Sequence, residues 1–241
     1  MLDAVLFDWG DTLMRFEYDE ALLEAGHRAG LDALDRDELP DVATVAARFR
    51  ERYAPLLWVP GTLEEIEYPG LVRQLLDDVG VEVSDRELET FLEAEHRAWA
   101  PARRLGSTTL ALLESLRARG LKLGLVSNAF DPAWLLRRDL EEMGLAERLD
   151  MSLFSSEIGK RKPHPAIFER ALELLEVEPE RALFVGDRLR EDVAGACAAG
   201  MRTVQALWFR AEEEPDGAEP DFRAFTQMDV LNVVRRLSGE R

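Results

Sequence analysis

Three times in the second half of the chain, a helical pattern stops at a glycine followed by one apolar residue: R-G-L at 119–121, M-G-L at 143–145 and A-G-M at 199–201. A glycine there takes the left-handed conformation that closes a helix, and the apolar residue after it packs back on the last turn. Helical patterns at 108–119, 132–143, 165–175 and 191–199 alternate with short apolar runs of strand length at 122–126, 151–154, 182–185 and 203–207. Alternation of this kind builds a parallel sheet covered by helices on both faces, an α/β, Rossmann-like architecture. Residues 4–7 supply a first strand; 222–225 and the amphipathic 228–237 supply a late strand and helix. Asp131-Pro132 offers an N-cap and a first helical position for 132–143.

Residues 14–105 break the rhythm. Their patterns are all helical, at about 19–34, 41–52, 63–79 and 85–98, the last announced by the capping-box pair Ser84 and Glu87. This segment reads as an all-helical subdomain inserted after the first strand, so that residues 1–13 and 106–241 form the core and 14–105 a cap. A chain of 241 residues with 46% hydrophobic content has room for both. The acidic stretch 211–220 reads as a solvated loop.

A formal charge of −18 argues against nucleic acid and anionic membrane surfaces as partners. No apolar stretch reaches the ~18 residues of a membrane span. One cysteine, Cys197, excludes an internal disulfide framework and fits a reducing cytoplasm; its small-residue setting A-G-A-C-A-A-G reads as a packed, inert thiol. Nothing in the sequence sets an oligomeric state.

In open parallel sheets, ligands bind beyond the carboxyl ends of the strands. The residues there are Asp8 after the first strand, Ser127-Asn128 after 122–126, and Gly186-Asp187 after 182–185. Lys162 precedes Pro163 and a helix, and Asp192 lies one helical turn beyond Asp187. Singly, each is ordinary turn or cap chemistry. Together and in order, F-D-W-G-D-T-L, L-V-S-N, G-K-R-K-P-H-P-A-I-F and V-G-D-R-L-R-E-D-V resemble the four motifs of the haloacid dehalogenase-like hydrolases, with 14–105 placed like that family's helical cap.

The resemblance implies a hydrolase of a small phosphorylated metabolite, either a phosphomonoester or an acyl phosphate. Asp8 would be the nucleophile that forms an aspartyl phosphate. Ser127, Asn128 and Lys162 would bind the phosphoryl group, with Ser127 and Lys162 counted in the catalytic set. Mg²⁺ would be held by Asp8, the Gly10 carbonyl, Asp187 and, directly or through water, Asp192. These residue types suit phosphoryl transfer, which needs an in-line nucleophile and neutralisation of charge on three equatorial oxygens. Of the three lysines, Lys122 opens a strand far from its reactive end and Lys160 is the rival for the motif; the position before proline favours Lys162.

One departure from the family pattern concerns the general acid/base. Phosphatases of the family carry a second Asp two residues after the nucleophile; here that position is Gly10, and the acid stands one later, as Asp11. A shift of one residue turns a side chain away. Asp11 is thus either a bent-turn replacement or a brace of the turn. His27, His96, Glu17, Asp19 and His164 are further candidates for the missing group, each also readable as an ordinary helix or turn residue. Loss of a positioned acid/base costs roughly 10²–10⁴ in rate, or about 3–5 kcal/mol of barrier. Trp9 and Trp58 are candidate walls of a substrate pocket. Two alternatives remain: a 2-haloacid dehalogenase, or a catalytically impaired phosphometabolite-binding or regulatory member. The phosphonatase branch needs a cap lysine, and residues 14–105 contain none.

Overall fold

The computed structural model describes residues 2–17, 19–57, 59, 61–209 and 218–239. In chain order the elements are β1 (Ala4–Phe7), β2 (Met14–Phe16), α1 (Glu20–Ala33), α2 (Val42–Arg48), α3 (Ala54–Leu57), α4 (Tyr68–Asp78), α5 (Asp85–Ala98) and β3 (Arg103–Leu105). There follow α6 (Thr109–Arg117), β4 (Lys122–Ser127), α7 (Ala133–Glu142), β5 (Met151–Phe154), α8 (Ser155–Ile158), α9 (Pro165–Leu175), β6 (Ala182–Gly186), α10 (Gly195–Ala198), β7 (Arg202–Ala206), β8 (Phe222–Ala224) and α11 (Asp229–Leu237).

Six strands form one sheet in the order β5-β4-β1-β6-β7-β8, and every neighbouring pair is parallel. Because successive strand side chains point to opposite faces, Val5, Phe7, Leu123, Leu125, Leu183 and Val185 enter one apolar cluster, with residues of α6, α7 and α11. Ala4, Leu6, Val126, Ala182 and Phe184 enter a second cluster, with α9 and α10. The strands are thus covered on both faces, as the alternation predicts. The three punctuating glycines have φ of 78° (Gly120), 69° (Gly144) and 85° (Gly200), and Leu145 and Met201 return their N–H groups to Leu140 and Ala196 carbonyls at 2.8 and 3.0 Å.

Between β1 and β4 the inserted helices enclose a third apolar cluster running from Leu23 to Trp99, with Leu135 of α7 joining it. Helices α1 and α5 cross closely because Gly26 and Gly30 face Trp99 and Phe91; a Cβ at Gly30 would lie 2.6 Å from the Phe91 ring. The Ser84–Glu87 capping box forms as expected.

Several local expectations are corrected. Residues 14–105 are not helical at their ends: β2 and β3 pair antiparallel, Met14 opposite Leu105, at the root of the insertion. Three-residue strands are too short for a period-2 pattern to register. The helix expected over 63–79 starts at Tyr68, N-capped by Glu67. Residues just before it pair instead with the lysine loop, through Glu65 N–H to Gly159 O and Arg161 N–H to Leu63 O at 3.0 and 2.9 Å. The stretches 41–52 and 191–199 contain π-helical turns, Phe49–Tyr53 and Leu189–Ala194. Asp131 does not cap α7; its carboxylate contacts His96 Nδ1 at 3.1 Å. Cys197 is exposed rather than packed, because Gly195 and Ala196 occupy the inner face of α10. Most of the acidic stretch, 211–217, lies outside the described residues. No helix among the described residues is long and apolar enough to cross a membrane.

Candidate active site

The register of the sheet brings the site together. Phe7 pairs with Leu125 on one side and Val185 on the other. The next residue, Asp8, therefore leaves the sheet between the ends of β4 and β6, and its N–H still bonds Val185 O at 2.9 Å. Ser127 ends β4, and Asp187 follows β6 directly. One ligand oxygen each from Asp8, Asp187 and Asp192 lies within 4.8 Å of the others, and all three residues are buried. Gly186 is glycine for a spatial reason, since a Cβ there would meet the Asp192 carboxylate at 2.4 Å.

Lys162 supplies the countercharge. Its Nζ donates to Asp8 Oδ1 and Asp192 Oδ1 at 2.6 Å each and to Val126 O at 2.9 Å. Lys162 is 3% exposed. Burial alone would lower its pKa, but the Asp192 and Asp8 carboxylates outweigh that and hold it raised, hence charged. Burial in turn pushes Asp8 up to about 6; Lys162 pulls it down and Asp192 pushes it up. Lys160, the rival, pairs with Glu64 at the surface.

Asn128 is tied to the lysine loop. Its carboxamide accepts from Lys162 N–H at 2.7 Å and donates to Lys162 O at 3.0 Å, so it fixes the lysine loop against the end of β4. Ser127 is buried, and its hydroxyl makes no hydrogen bond to the described residues.

Trp9 is not a pocket wall. It is 2% exposed, within the apolar cluster under the sheet, its ring 5.9 Å from that of Phe154. Trp58 lies outside the described residues. Asp11 adopts φ of 52°, left-handed for a non-glycine residue. It is absent from the carboxylate cluster, and its side chain bonds none of the described residues, so it does not brace the turn through a hydrogen bond.

The other acid/base candidates are engaged elsewhere. His27 is fully buried in the insertion, Nε2 3.5 Å from Glu95 Oε1. His96 lies between Asp131 and Asp139, Glu17 pairs with Arg15, Asp19 caps α1, and His164 caps α9.

The donor set is right for a hard divalent cation, which prefers carboxylate, carbonyl and water oxygens. Three convergent buried carboxylates, faced by the Lys162 ammonium and within electrostatic reach of the Arg188 guanidinium, offer the oxygens that such an ion takes.

Comparison with known proteins agrees with this geometry. The family model described as haloacid dehalogenase-like hydrolase matches residues 2–200. A glyceraldehyde 3-phosphate phosphatase of Methanopyrus kandleri is 30% identical over 250 residues, covering 100% of both chains. A phosphoserine phosphatase of Thermus thermophilus is 41% identical over 230 residues, 95% of this chain and 79% of the relative. The crystal structure of a HAD phosphatase from Thermococcus onnurineus superposes with a TM-score of 0.65 at 26% identity, covering 100% of both chains. A 2-haloacid dehalogenase from Pseudomonas syringae, at 23% identity and TM-score 0.69 over 98% of this chain and 100% of the other, shares the fold. With the motifs converging at the ends of β1, β4 and β6, the chain belongs to the haloacid dehalogenase-like hydrolases.

Proposed function

We propose that the protein is a metal-dependent phosphatase of a small phosphorylated metabolite, with residues 1–13 and 106–241 as catalytic core and 14–105 as the cap that encloses the leaving group. The observation that carries this reading is the Lys162 ammonium held at 2.6 Å from both Asp8 and Asp192, with Asp187 in the same buried cluster. Names of relatives that act on glyceraldehyde 3-phosphate and phosphoserine support the substrate class.

An Asp8 oxygen forms a bond to phosphorus while the bond from phosphorus to the leaving oxygen breaks; water then attacks the phosphorus of the aspartyl phosphate and Asp8 is released. Lys162 and the Ser127 hydroxyl bind phosphoryl oxygens, and Asn128 keeps Lys162 in position. Asp8, Asp187, Asp192 and the Gly10 carbonyl would hold Mg²⁺, which supplies charge neutralisation for the incoming phosphate.

Gly10 offers no acid, and His27, His96, Glu17, Asp19 and His164 are held by other residues, so substrates whose leaving group needs little protonation are favoured. Acyl and aryl phosphates should therefore turn over faster than alkyl phosphates, the class to which glyceraldehyde 3-phosphate and phosphoserine belong. p-Nitrophenyl phosphate hydrolysis that requires Mg²⁺ and is abolished in Asp8→Asn is the expected result. Chloride release from chloroacetate without metal would establish the dehalogenase reading instead. The Gly10-Asp11 order also favours slow dephosphorylation, so a regulatory member would show stable labelling by acetyl phosphate without multiple turnovers.

A further inference from the structure

Against the turn that follows β1 lies a polar network to which the phosphatase reading gives no role. Gln227, between β8 and α11, is 4% exposed and belongs to neither element. Its Nε2 donates to Thr12 O at 3.1 Å and to Thr109 Oγ1 at 2.6 Å, and its Oε1 accepts from Thr108 Oγ1 at 2.6 Å. Thr109 Oγ1 in turn donates to Leu13 O at 2.7 Å, and Gly106 N–H reaches the same carbonyl at 3.0 Å. Trp208, in the chain after β7, adds a second donor to Thr12 O through Nε1 at 2.8 Å. The approach is close enough to dictate residue 106, since a Cβ there would lie 2.6 Å from Gln227 Nε2 and 2.7 Å from Thr109 Oγ1.

A buried carboxamide is costly unless its donors and its acceptor are used. Here they are used on two consecutive main-chain carbonyls, Thr12 directly and Leu13 through Thr109. The turn they anchor has little hold on itself. The N–H groups of Thr12, Leu13 and Met14 all converge on Trp9 O, at 3.3, 3.0 and 3.0 Å, and Asp11 sits at φ of 52°. A left-handed non-glycine residue persists only where its surroundings over-determine the backbone. The two donors on Thr12 O, one residue further on, supply that external hold. Residues 8–13 also carry two of the groups expected to meet Mg²⁺, the Asp8 carboxylate and the Gly10 carbonyl.

Resting on the metal-dependent phosphatase reading, we propose that Gln227 is a positioning residue: with Trp208 it fixes the Thr12 carbonyl and so holds the 8–13 turn in the shape that presents Asp8 and the Gly10 carbonyl to a divalent cation. It acts through the backbone of Thr12, not by contact with the reacting groups. Its removal should therefore weaken metal binding more than substrate binding.

The test compares wild type, Gln227→Met, Trp208→Phe, the double variant and Thr108→Val. Gln227→Met and Trp208→Phe each remove one donor to Thr12 O at similar size. Thr108→Val removes a donor to Gln227 and leaves both bonds to Thr12 O in place. The Tm of each protein is followed as Mg²⁺ is added. A general loss of stability then shows in the metal-free Tm, and a loss of affinity in the Mg²⁺ concentration at which Tm begins to rise. The Mg²⁺ concentration for half-maximal hydrolysis of p-nitrophenyl phosphate, and KM for that ester, are measured alongside. Loss of one neutral hydrogen bond is worth about threefold to tenfold. Both Mg²⁺ concentrations should rise about threefold in each single variant and about tenfold or more in the double variant, with KM changed less than about twofold. Thr108→Val should move neither. Gln227→Glu, which keeps the acceptor for Thr108 and loses the donors, makes the same comparison if Gln227→Met does not fold. A lowered metal-free Tm with unmoved Mg²⁺ concentrations would overturn the positioning role and leave the phosphatase reading intact. A wild type whose Tm and ester hydrolysis both ignore Mg²⁺ would overturn the metal-dependent reading and the positioning role together.

Discussion

At the scale of single residues, the turn after β1 holds the main chemical peculiarity of the protein. Asp11 sits at φ of 52°, where a side chain is disfavoured, while a Cβ on the preceding Gly10 would meet nothing within 4 Å. The two residues are, in effect, exchanged relative to what the backbone prefers. The double substitution Gly10→Asp, Asp11→Gly should fit without strain and place an acid two residues after Asp8. We predict a gain of about 10²-fold or more in turnover of an alkyl phosphate, with a smaller gain for p-nitrophenyl phosphate, measured as kcat on both. Asp11→Gly alone should raise stability by about 1 kcal/mol, read from a urea midpoint, because it removes a left-handed non-glycine residue. Gly186→Ala should do the opposite for function. Its methyl group would displace the Asp192 carboxylate and uncouple it from Lys162, so activity should fall by about tenfold or more for a loss of roughly 1–3 kcal/mol in stability. Asp8, Ser127, Lys162, Asp187 and Asp192 were expected from the order of the four motifs that resemble the family's, since a strand end alone marks none of them, and Asp8, Lys162, Asp187 and Asp192 do converge. The direction of a side chain within an irregular turn follows no periodicity, which is why Trp9 proved to be core and Asn128 a brace for Lys162.

At the scale of elements, the helices and core strands follow from pattern and punctuation, and the departures have local causes. Met14–Phe16 and Arg103–Leu105 are too short to show a period, and each depends on the other across a long stretch of chain. Residues 63–66 looked helical by composition, but pairing of their backbone with the lysine loop outweighed that preference. The contact of α1 with α5 depends on two small residues that no hydrophobic pattern marks. Gly30→Ala would press a methyl group against Phe91, and we expect a cost of about 1–3 kcal/mol in thermal or denaturant unfolding with little change in p-nitrophenyl phosphate kcat. The end of α5 is tied to α7 and to the loop after Ser127 by His96, whose ring nitrogens lie 3.1 Å from Asp131 and 2.9 Å from Asp139, and by Arg103 at 2.8 Å from Asp139. Burial lowers the His96 pKa, yet these carboxylates leave it raised. The stability it contributes is complete below the ordinary histidine range and lost as pH rises through its folded pKa.

Over the whole molecule, the same alkaline weakness recurs inside the inserted segment. Glu95 is fully buried beside His27, and burial pushes its pKa up to about 8, against a lowering hydrogen bond from Tyr68. Burial, with help from Arg50, lowers His27 to about 4, so both groups are neutral at pH 6. An acid raised on folding binds its proton more tightly in the folded state, so stability declines as pH rises from the ordinary glutamate pKa through about 8. Glu95→Gln mimics the neutral acid and should remove this slope. We expect the variant to gain on wild type as pH goes from 5 to 8, by at least about 1 kcal/mol at pH 8, followed by Tm across that range. The core and its site would remain as they are, because this cluster lies in the apolar interior of the insertion, apart from the carboxylates of Asp8, Asp187 and Asp192. That separation leaves the central claim, transfer of a phosphoryl group to Asp8, open to direct measurement. Wild-type protein and Asp8→Asn are mixed with p-nitrophenyl phosphate and Mg²⁺, quenched in acid within the first turnover, and mapped by peptide mass spectrometry. The account predicts a phosphorylated aspartate at position 8 in wild type alone; steady turnover by Asp8→Asn, or a phosphoryl group on another residue, would contradict it.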